Sequence, residues 1–327
     1  MKKVIAVLLT VLLATSLAAC GKDNSASENP KIGILQFAPH ASLDNCSEGA
    51  IEGLKEAGYE DGKNCSIELV NAMGEAETNN LAAQSFVSKK FDIIIAVATP
   101  SASAAYAAAK DAGIPVIFSA VSSPVDAGLV KDLNNPQSGC SGTSDALPYD
   151  AQLALIRAFQ PDAKTIGILY TTSEPNSAAQ LAEYEKRTAG MGFTIKAQGI
   201  TDASEVSAGI TSLAASGIDC LCNLTDNNVV NNFSVVLAVT DKAGIPCYGS
   251  EEEQVLQYGC VAAEGLDYFE LGKKTGKMAA EVLKGADIMK MPVQIISESK
   301  PFYSSENMEK FALNLPAGYE DATDLSK

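Results

Sequence analysis

At 327 residues, 46% hydrophobic and 20% charged, the chain has room for two ordinary domains with real cores and is too apolar to be a disordered protein. Its 24 Lys and Arg against 40 Asp and Glu leave a formal charge of −16, which argues against nucleic acid as a partner and against electrostatic docking on anionic lipid.

The N-terminus reads as a secretory signal peptide over residues 1–20. A short basic start, Met1-Lys2-Lys3, precedes an apolar run over 4–13 that only Thr10 interrupts and that is too short to span a bilayer. Leu17-Ala18-Ala19-Cys20-Gly21 then resembles a bacterial lipobox, so Cys20 is the expected lipidation site and the first mature residue. Residues 21–30 are polar and aperiodic, as a flexible tether would be. No later segment is apolar for long enough to cross a membrane. The expected location is extracytoplasmic, with the lipid as the only membrane attachment.

Past the tether, strands and helices alternate. Residues 31–37 predict a strand, 47–58 a helix, 64–70 a strand and 79–89 a helix. The run Ile93-Ile94-Ile95-Ala96-Val97-Ala98 is apolar on both faces, as in a parallel strand covered by helices. It ends in Thr99-Pro100-Ser101 and an alanine-rich helix, with Thr99 at the expected N-cap and Pro100 in the first turn. Strands at 114–119 and 139–143 complete a first set. The pattern then restarts: helices at 149–159, 177–190, 204–215 and 229–243 alternate with strands at 165–170, 193–198, 218–224 and 245–248. Thr165–Tyr170 repeats the Gly-Ile-Leu of the first strand, and Ala-Gly-Ile-Pro occurs at both 112–115 and 243–246. A strand at 259–265, a helix at 269–285 and an irregular tail follow.

That alternation predicts an α/β protein of two Rossmann-like lobes, each a parallel sheet flanked by helices, hinged as a clamshell over a small molecule. Lobe one is expected to take 31–146 with 261–288, and lobe two 147–260 with 289–327. Hinge crossings are expected near 145–149, 260–264 and 288–292. Open α/β sheets bind ligands at strand C-terminal ends facing helix N-termini, where free N–H groups favour a carboxylate. Position therefore selects Gln36, His40, Thr99, Ser101, Ser119, Ser122 and Ser123 from lobe one. Lobe two offers the loop 171–177, the run Thr225-Asp226-Asn227-Asn228, and Glu251. Hydroxyls and N–H groups suit the carboxylate of a zwitterion, and Asp226 its ammonium; equally, Asp226 and the hydroxyl residues are natural helix caps. Glu174 reads as an exposed loop residue.

Neither catalytic residue nor cofactor nor metal is expected. The one histidine, His40, reads as a loop residue near the cleft mouth, no G-x-S-x-G elbow supplies a nucleophile, and Gly272–Met278 is too short between its glycines for a phosphate loop and reads as helix interior. The cysteines beyond Cys20 form no C-x-x-C pair and are read as mostly free buried thiols.

Stretches 32–64, 92–105, 113–130, 170–180, 224–230 and 266–285 together resemble the ABC-transporter substrate-binding proteins of the type I periplasmic-binding fold, in the group that includes tryptophan- and tyrosine-type binding proteins. Among them, DIIIAVATPSASAA, YTTSEPNSAAQ and LTDNNVV carry Thr99-Pro100-Ser101, Asn176-Ser177 and Thr225-Asp226. Two positions depart from the family pattern: Ala41 follows His40 where a proline is common, and Ser123 precedes Pro124 where an aspartate often stands. The resemblance implies a two-lobed clamshell, monomeric, that delivers an amino acid of the aromatic class to a membrane permease powered by a cytoplasmic ATPase. A sensor subunit signalling to a membrane kinase is the rival reading.

Overall fold

The computed structural model describes residues 29–326. The signal peptide, Cys20 and nearly all of the tether lie outside the described residues. Among those described, no helix is long and apolar enough to cross a membrane.

Two sheets organise the chain. In the first, β1 (Lys31–Gln36) pairs with β2 (Ser66–Asn71) and β3 (Ile93–Val97), followed outward by β4 (Val116–Ser119), β5 (Cys140–Ser144) and the two-residue β11 (Gln294–Ile295), all parallel. In the second, the order runs β13 (Thr323–Asp324), β12 (Lys300–Tyr303), β10 (Ala262–Gly265), β9 (Cys247–Gly249), β8 (Cys220–Cys222), β6 (Thr165–Thr171), β7 (Thr194–Ile200), with β10–β12 the antiparallel pair. Every residue of β3 is buried because helices cover both faces, whereas β2 and β7 lie at sheet edges and stay exposed or half-exposed along most of their length.

The sheets divide the chain differently from the expected boundaries at 261–288. Strand β10 belongs to the second sheet, since its backbone is taken by β9 on one side and β12 on the other. Helix α10 (Tyr268–Leu283) then returns to the first lobe, and β11 extends the first sheet beside β5. The chain thus passes between lobes after Ser144, between Gly265 and Tyr268, and after Ile295.

The return of α10 depends on a close helix crossing. Gly49 and Gly53 of α1 (Ala41–Glu56) face Gly272 and Gly276 of α10, and a Cβ on any of the four would overlap a backbone carbonyl of the other helix. The glycine spacing that superficially resembles a phosphate loop is therefore a packing surface in a helix interior.

Three local expectations differ. Helix α1 begins at Ala41 and not at 47, because the backbone N–H of Asp44 already finds the His40 carbonyl and Asp44 itself sits in the first turn, where a negative charge is favoured. Helix α3 (Thr99–Ala109) is capped by Ala98, so Thr99 is its first helical residue: the Ala98 N–H extends the ladder to Ser119 and its carbonyl receives Ala102. The expected helix 229–243 is two, α7 (Asn227–Asn231) and α8 (Phe233–Ala243), broken at Asn232, whose φ of −114° and ψ of 23° leave the helical range. All seven cysteines among the described residues are free and buried.

Candidate functional site

The strand ends of both lobes converge on one narrow cavity, closed down to about 10 Å³ of free volume. Lobe one lines it with His40, Leu43, Ala98, Thr99, Ala120, Ser122 and Tyr268; lobe two with Asn176, Thr225, Asn227 and Glu251; and Asp145 stands at the first crossing between them. A wider groove against residues 158–163 and 312–316 lies at the far end of the second sheet, open to solvent and away from these loops.

Backbone strain marks the lobe-one wall. Ala98 has φ 77° and Ala120 φ 54°, a region that side chains other than glycine avoid, at a cost of about 1–3 kcal/mol each. Both follow the ends of central strands, and the strand ladders on either side hold them there. The resulting turns aim Thr99 and Ser122 inward, with the free N–H groups at the start of α3 beside them.

The cavity is acidic, and neither lysine nor arginine lines it. Asp145 accepts hydrogen bonds from the Ser122 hydroxyl (3.0 Å) and the Tyr268 phenol (3.0 Å), yet burial raises its carboxyl above the usual range. Glu251 is pushed up to about 8 by burial first and by neighbouring Glu253 second. His40 moves the other way, to about 4, because burial disfavours its cation; the ring is neutral at physiological pH, and its Nδ1 has no partner among the described residues. The Asn176 carbonyl oxygen Oδ1 is likewise buried and unpaired.

Several contacts span the lobes. His40 Nε2 lies 3.4 Å from Asn227 Oδ1, Ser122 Oγ lies 3.4 Å from Thr225 Oγ1, and Gln180 of α5 (Pro175–Thr188) donates from Nε2 to Ser122 at 2.9 Å. Ser42 Oγ and Asn45 Nδ2 of α1 donate to Glu253 of α9 (Glu252–Leu256) at 3.1 and 2.7 Å. The clamshell is closed.

Of the residues singled out from sequence, His40, Thr99, Ser122, Asn176, Thr225, Asn227 and Glu251 meet at the cavity. The others surround it. Gln36 is spent on Ala38, Asp44 and Ser47; the Ser101 hydroxyl donates to Asn79; Ser119 accepts from Thr275; Ser177 is buried against Glu174 and Asn176. Pro100 lines a separate interlobe groove, and Ser123 begins a half-exposed turn. Asp226 caps α7: its carboxylate accepts from Val229 N (3.0 Å), Thr171 N (2.5 Å) and Thr171 Oγ1 (2.8 Å), and it is not among the residues that line the cavity. Glu174, expected in an exposed loop, is 2% exposed and accepts from the backbone and side-chain N–H groups of Asn227 and Asn228, which draw it inward.

Sequence reasoning missed Leu43, Ala98, Ala120, Asp145 and Tyr268 as lining residues. Asp145 carried a usable signal: it follows β5 at a strand C-terminal end, the same rule that selects Thr99.

Comparison with known proteins fits this geometry. Residues 31–317 match the family model described as ABC transporter substrate binding protein. A tyrosine-binding protein of Clostridioides difficile (strain R20291) is 39% identical over 94% of this chain and 92% of its own. A Streptococcus pneumonia ABC domain solved in complex with L-Trp superposes with a TM-score of 0.86 at 32% identity, over 90% of this chain and 98% of that one. A substrate-binding protein with adhesive properties from Clostridium difficile, solved ligand-free and open, is 37% identical over 91% of this chain and 99% of that one but superposes less well, at 0.68. The lower score against the open form agrees with the closed lobes described above. Proteins of this family are extracytoplasmic and bind solutes without transforming them. The chain belongs to the ABC transporter substrate-binding proteins, with the type I periplasmic-binding fold.

Proposed function

We propose that the chain binds an aromatic amino acid, tyrosine or tryptophan, in the interlobe cavity and hands it to a permease driven by a cytoplasmic ATPase. Cys20 carries the lipid that holds the monomer outside the membrane. The observation that carries the ligand class is the pairing of acidic and carboxylate-binding ends in one cavity, in a chain 39% identical to a tyrosine-binding protein. The ligand's carboxylate lies at Thr99 and the N-terminus of α3, where hydroxyl and N–H donors meet the helix dipole. Its ammonium lies between Asp145 and Glu251, a role for which the sequence offers Asp226 as a candidate beside its reading as a helix cap. Leu43, Ala98, Ala120 and Tyr268 face the ring. Ser122, Asn176, Thr225, Asn227 and neutral His40 complete the hydrogen bonds.

The chain has no tryptophan, so emission from bound L-tryptophan reports occupancy directly. Titration of ligand-stripped protein should show saturable binding of tryptophan and its competition by tyrosine. N-acetyl-tyrosine and the α-keto analogue of tyrosine should bind at least about 30-fold more weakly, since losing the ammonium leaves buried carboxylates unpaired at about 2–5 kcal/mol. Failure of both amino acids to bind, or equal binding of the N-acetyl compound, would overturn this reading.

A further inference from the structure

The closed junction between α1 and α9 contains a feature that ligand binding alone does not require. Glu253 is 6% exposed and takes two hydrogen bonds from the opposite lobe, from Ser42 at 3.1 Å and Asn45 at 2.7 Å. Beside it lie Glu251 and Asp145, each 2% exposed. Among the described residues the ion pairs involve none of the three. Apart from Lys300 of β12, which acts on Glu252 at the outer side of α9, the ionisable groups facing them are acidic or neutral: Asp44 and Cys46 from α1, Tyr149 beside Asp145, Tyr268 and Asp267 at the start of α10, Glu252 from α9, and Tyr258 beyond it. His40, the remaining ionisable group at the cavity, is neutral above about pH 4, and its unpartnered Nδ1 shows that this space is left unfilled by the protein's own polar groups.

We propose that Glu253 is the positioning residue of closure, a latch whose carboxyl group docks on Ser42 and Asn45 only when positive charge, a proton or the ligand's ammonium, enters the acidic junction it forms with Glu251 and Asp145. Only the ammonium half rests on the ligand class proposed above. The argument is one of charge balance. Opening the clamshell returns Glu251 and Glu253 to water, where carboxyls titrate near 4–4.5. Closing brings them, without a base, against lobe-one carboxylates in a medium where like charges repel strongly. Burial raises all three carboxyls in the closed state, Glu251 to about 8. The closed form therefore binds more protons than the open one across about pH 4.5–8. Linkage then requires ligand-free closure to be favoured at the acid end and lost as pH rises through that window. An ammonium in the same place substitutes for the proton and makes closure possible at neutral pH.

Small-angle scattering on the ligand-stripped mature chain tests this without any ligand. The radius of gyration should be compact near pH 5 and expand toward pH 8. Glu253→Gln keeps one acceptor oxygen for Asn45, lets its amide N–H meet the Ser42 hydroxyl as an acceptor, and removes the charge, so this variant should stay more compact at pH 8 and show a flatter pH profile. Ser42→Ala combined with Asn45→Ala should be expanded even at pH 5. A wild-type radius that does not change between pH 5 and 8, or a Glu253→Gln profile that coincides with wild type, overturns the latch. Compaction on adding tyrosine at pH 8 is a separate readout: its absence counts against the proposed ligand and leaves the ligand-free pH profile as the judge of the proton half.

Discussion

Asp226 and Glu251 are both buried carboxylates at the C-terminal side of second-lobe strands, yet their partners give them different work. Asp226 satisfies three donors, Thr171 N, Thr171 Oγ1 and Val229 N, and thereby ties the β6 turn to the first turn of α7. Removing it strands two buried backbone N–H groups and a hydroxyl, each of which costs about 1–3 kcal/mol when unsatisfied, less what relaxation and water recover. Asp226→Ala should therefore lower unfolding free energy by about 2–4 kcal/mol in urea titration, whereas Glu251→Gln should leave the midpoint unchanged or raised. A stability loss under 1 kcal/mol would show that the cap is dispensable. The sequence displayed both roles for Asp226, since Asp before Asn-Asn is a good cap and also a good ammonium partner; what it lacked was the Thr171 backbone, which lies across the sheet and is visible only once β6 and β8 are paired. Asp145 is less legible as a lining residue because the same position is also the first crossing between the lobes, and a hinge reading accounts for it without a ligand.

At the scale of elements, the crossing of α1 and α10 is the joint through which the chain returns from the second lobe to the first. Helix propensity favours alanine over glycine by about 1 kcal/mol at each site, so Gly276 in a helix interior needs a reason. Its reason is contact: a Cβ there would overlap the Ala50 carbonyl and come within 2.8 Å of Leu54 N. Overpacking of this kind costs about 1–3 kcal/mol or more because backbone, unlike a flexible side chain, cannot step aside. We expect Gly276→Ala to destabilise by about 1–2 kcal/mol net, measured as a urea midpoint shift at unchanged m, and Gly276→Val by more. Equal stability of Gly276→Ala and wild type would mean that the helices separate freely. The βα alternation itself was legible because apolar runs and glycine stops repeat along the chain. The lobe assignment of β10 was not, since whether a four-residue buried strand pairs with β9 or crosses to the other sheet depends on hydrogen-bond partners such as β12, far away in sequence.

Across the whole molecule, closure relies on polar contacts more than on apolar area. The direct interlobe hydrogen bonds run through Glu253, Ser122, Gln180, His40 and Asn227, and the hydrophobic clusters are confined to single lobes or to their own crossings. Hydrogen bonds exchanged with water are worth only about 0.5–1.5 kcal/mol each, so the open and closed forms differ by little and a bound solute can shift the balance. The relatives fit this picture: at similar identity, the superposition is 0.86 with the L-Trp complex and 0.68 with the ligand-free open form. Gln180 is the most informative of these contacts because it works on both sides of the cleft. Its amide donates to Ser122 at 2.9 Å and to Thr225 at 2.5 Å, and its carbonyl accepts the Thr225 N–H, while the Ser122 hydroxyl donates a hydrogen bond to Asp145. Gln180→Ala thus removes a lobe-to-lobe tie and loosens the group that orients Asp145. Interface changes of this kind act mainly on dissociation. Release of bound L-tryptophan, followed by its own fluorescence in stopped flow, should accelerate by about tenfold, equivalent to about 1.4 kcal/mol, with association nearly unchanged. If association slows and dissociation does not change, Gln180 shapes the open lobe and not the closed one.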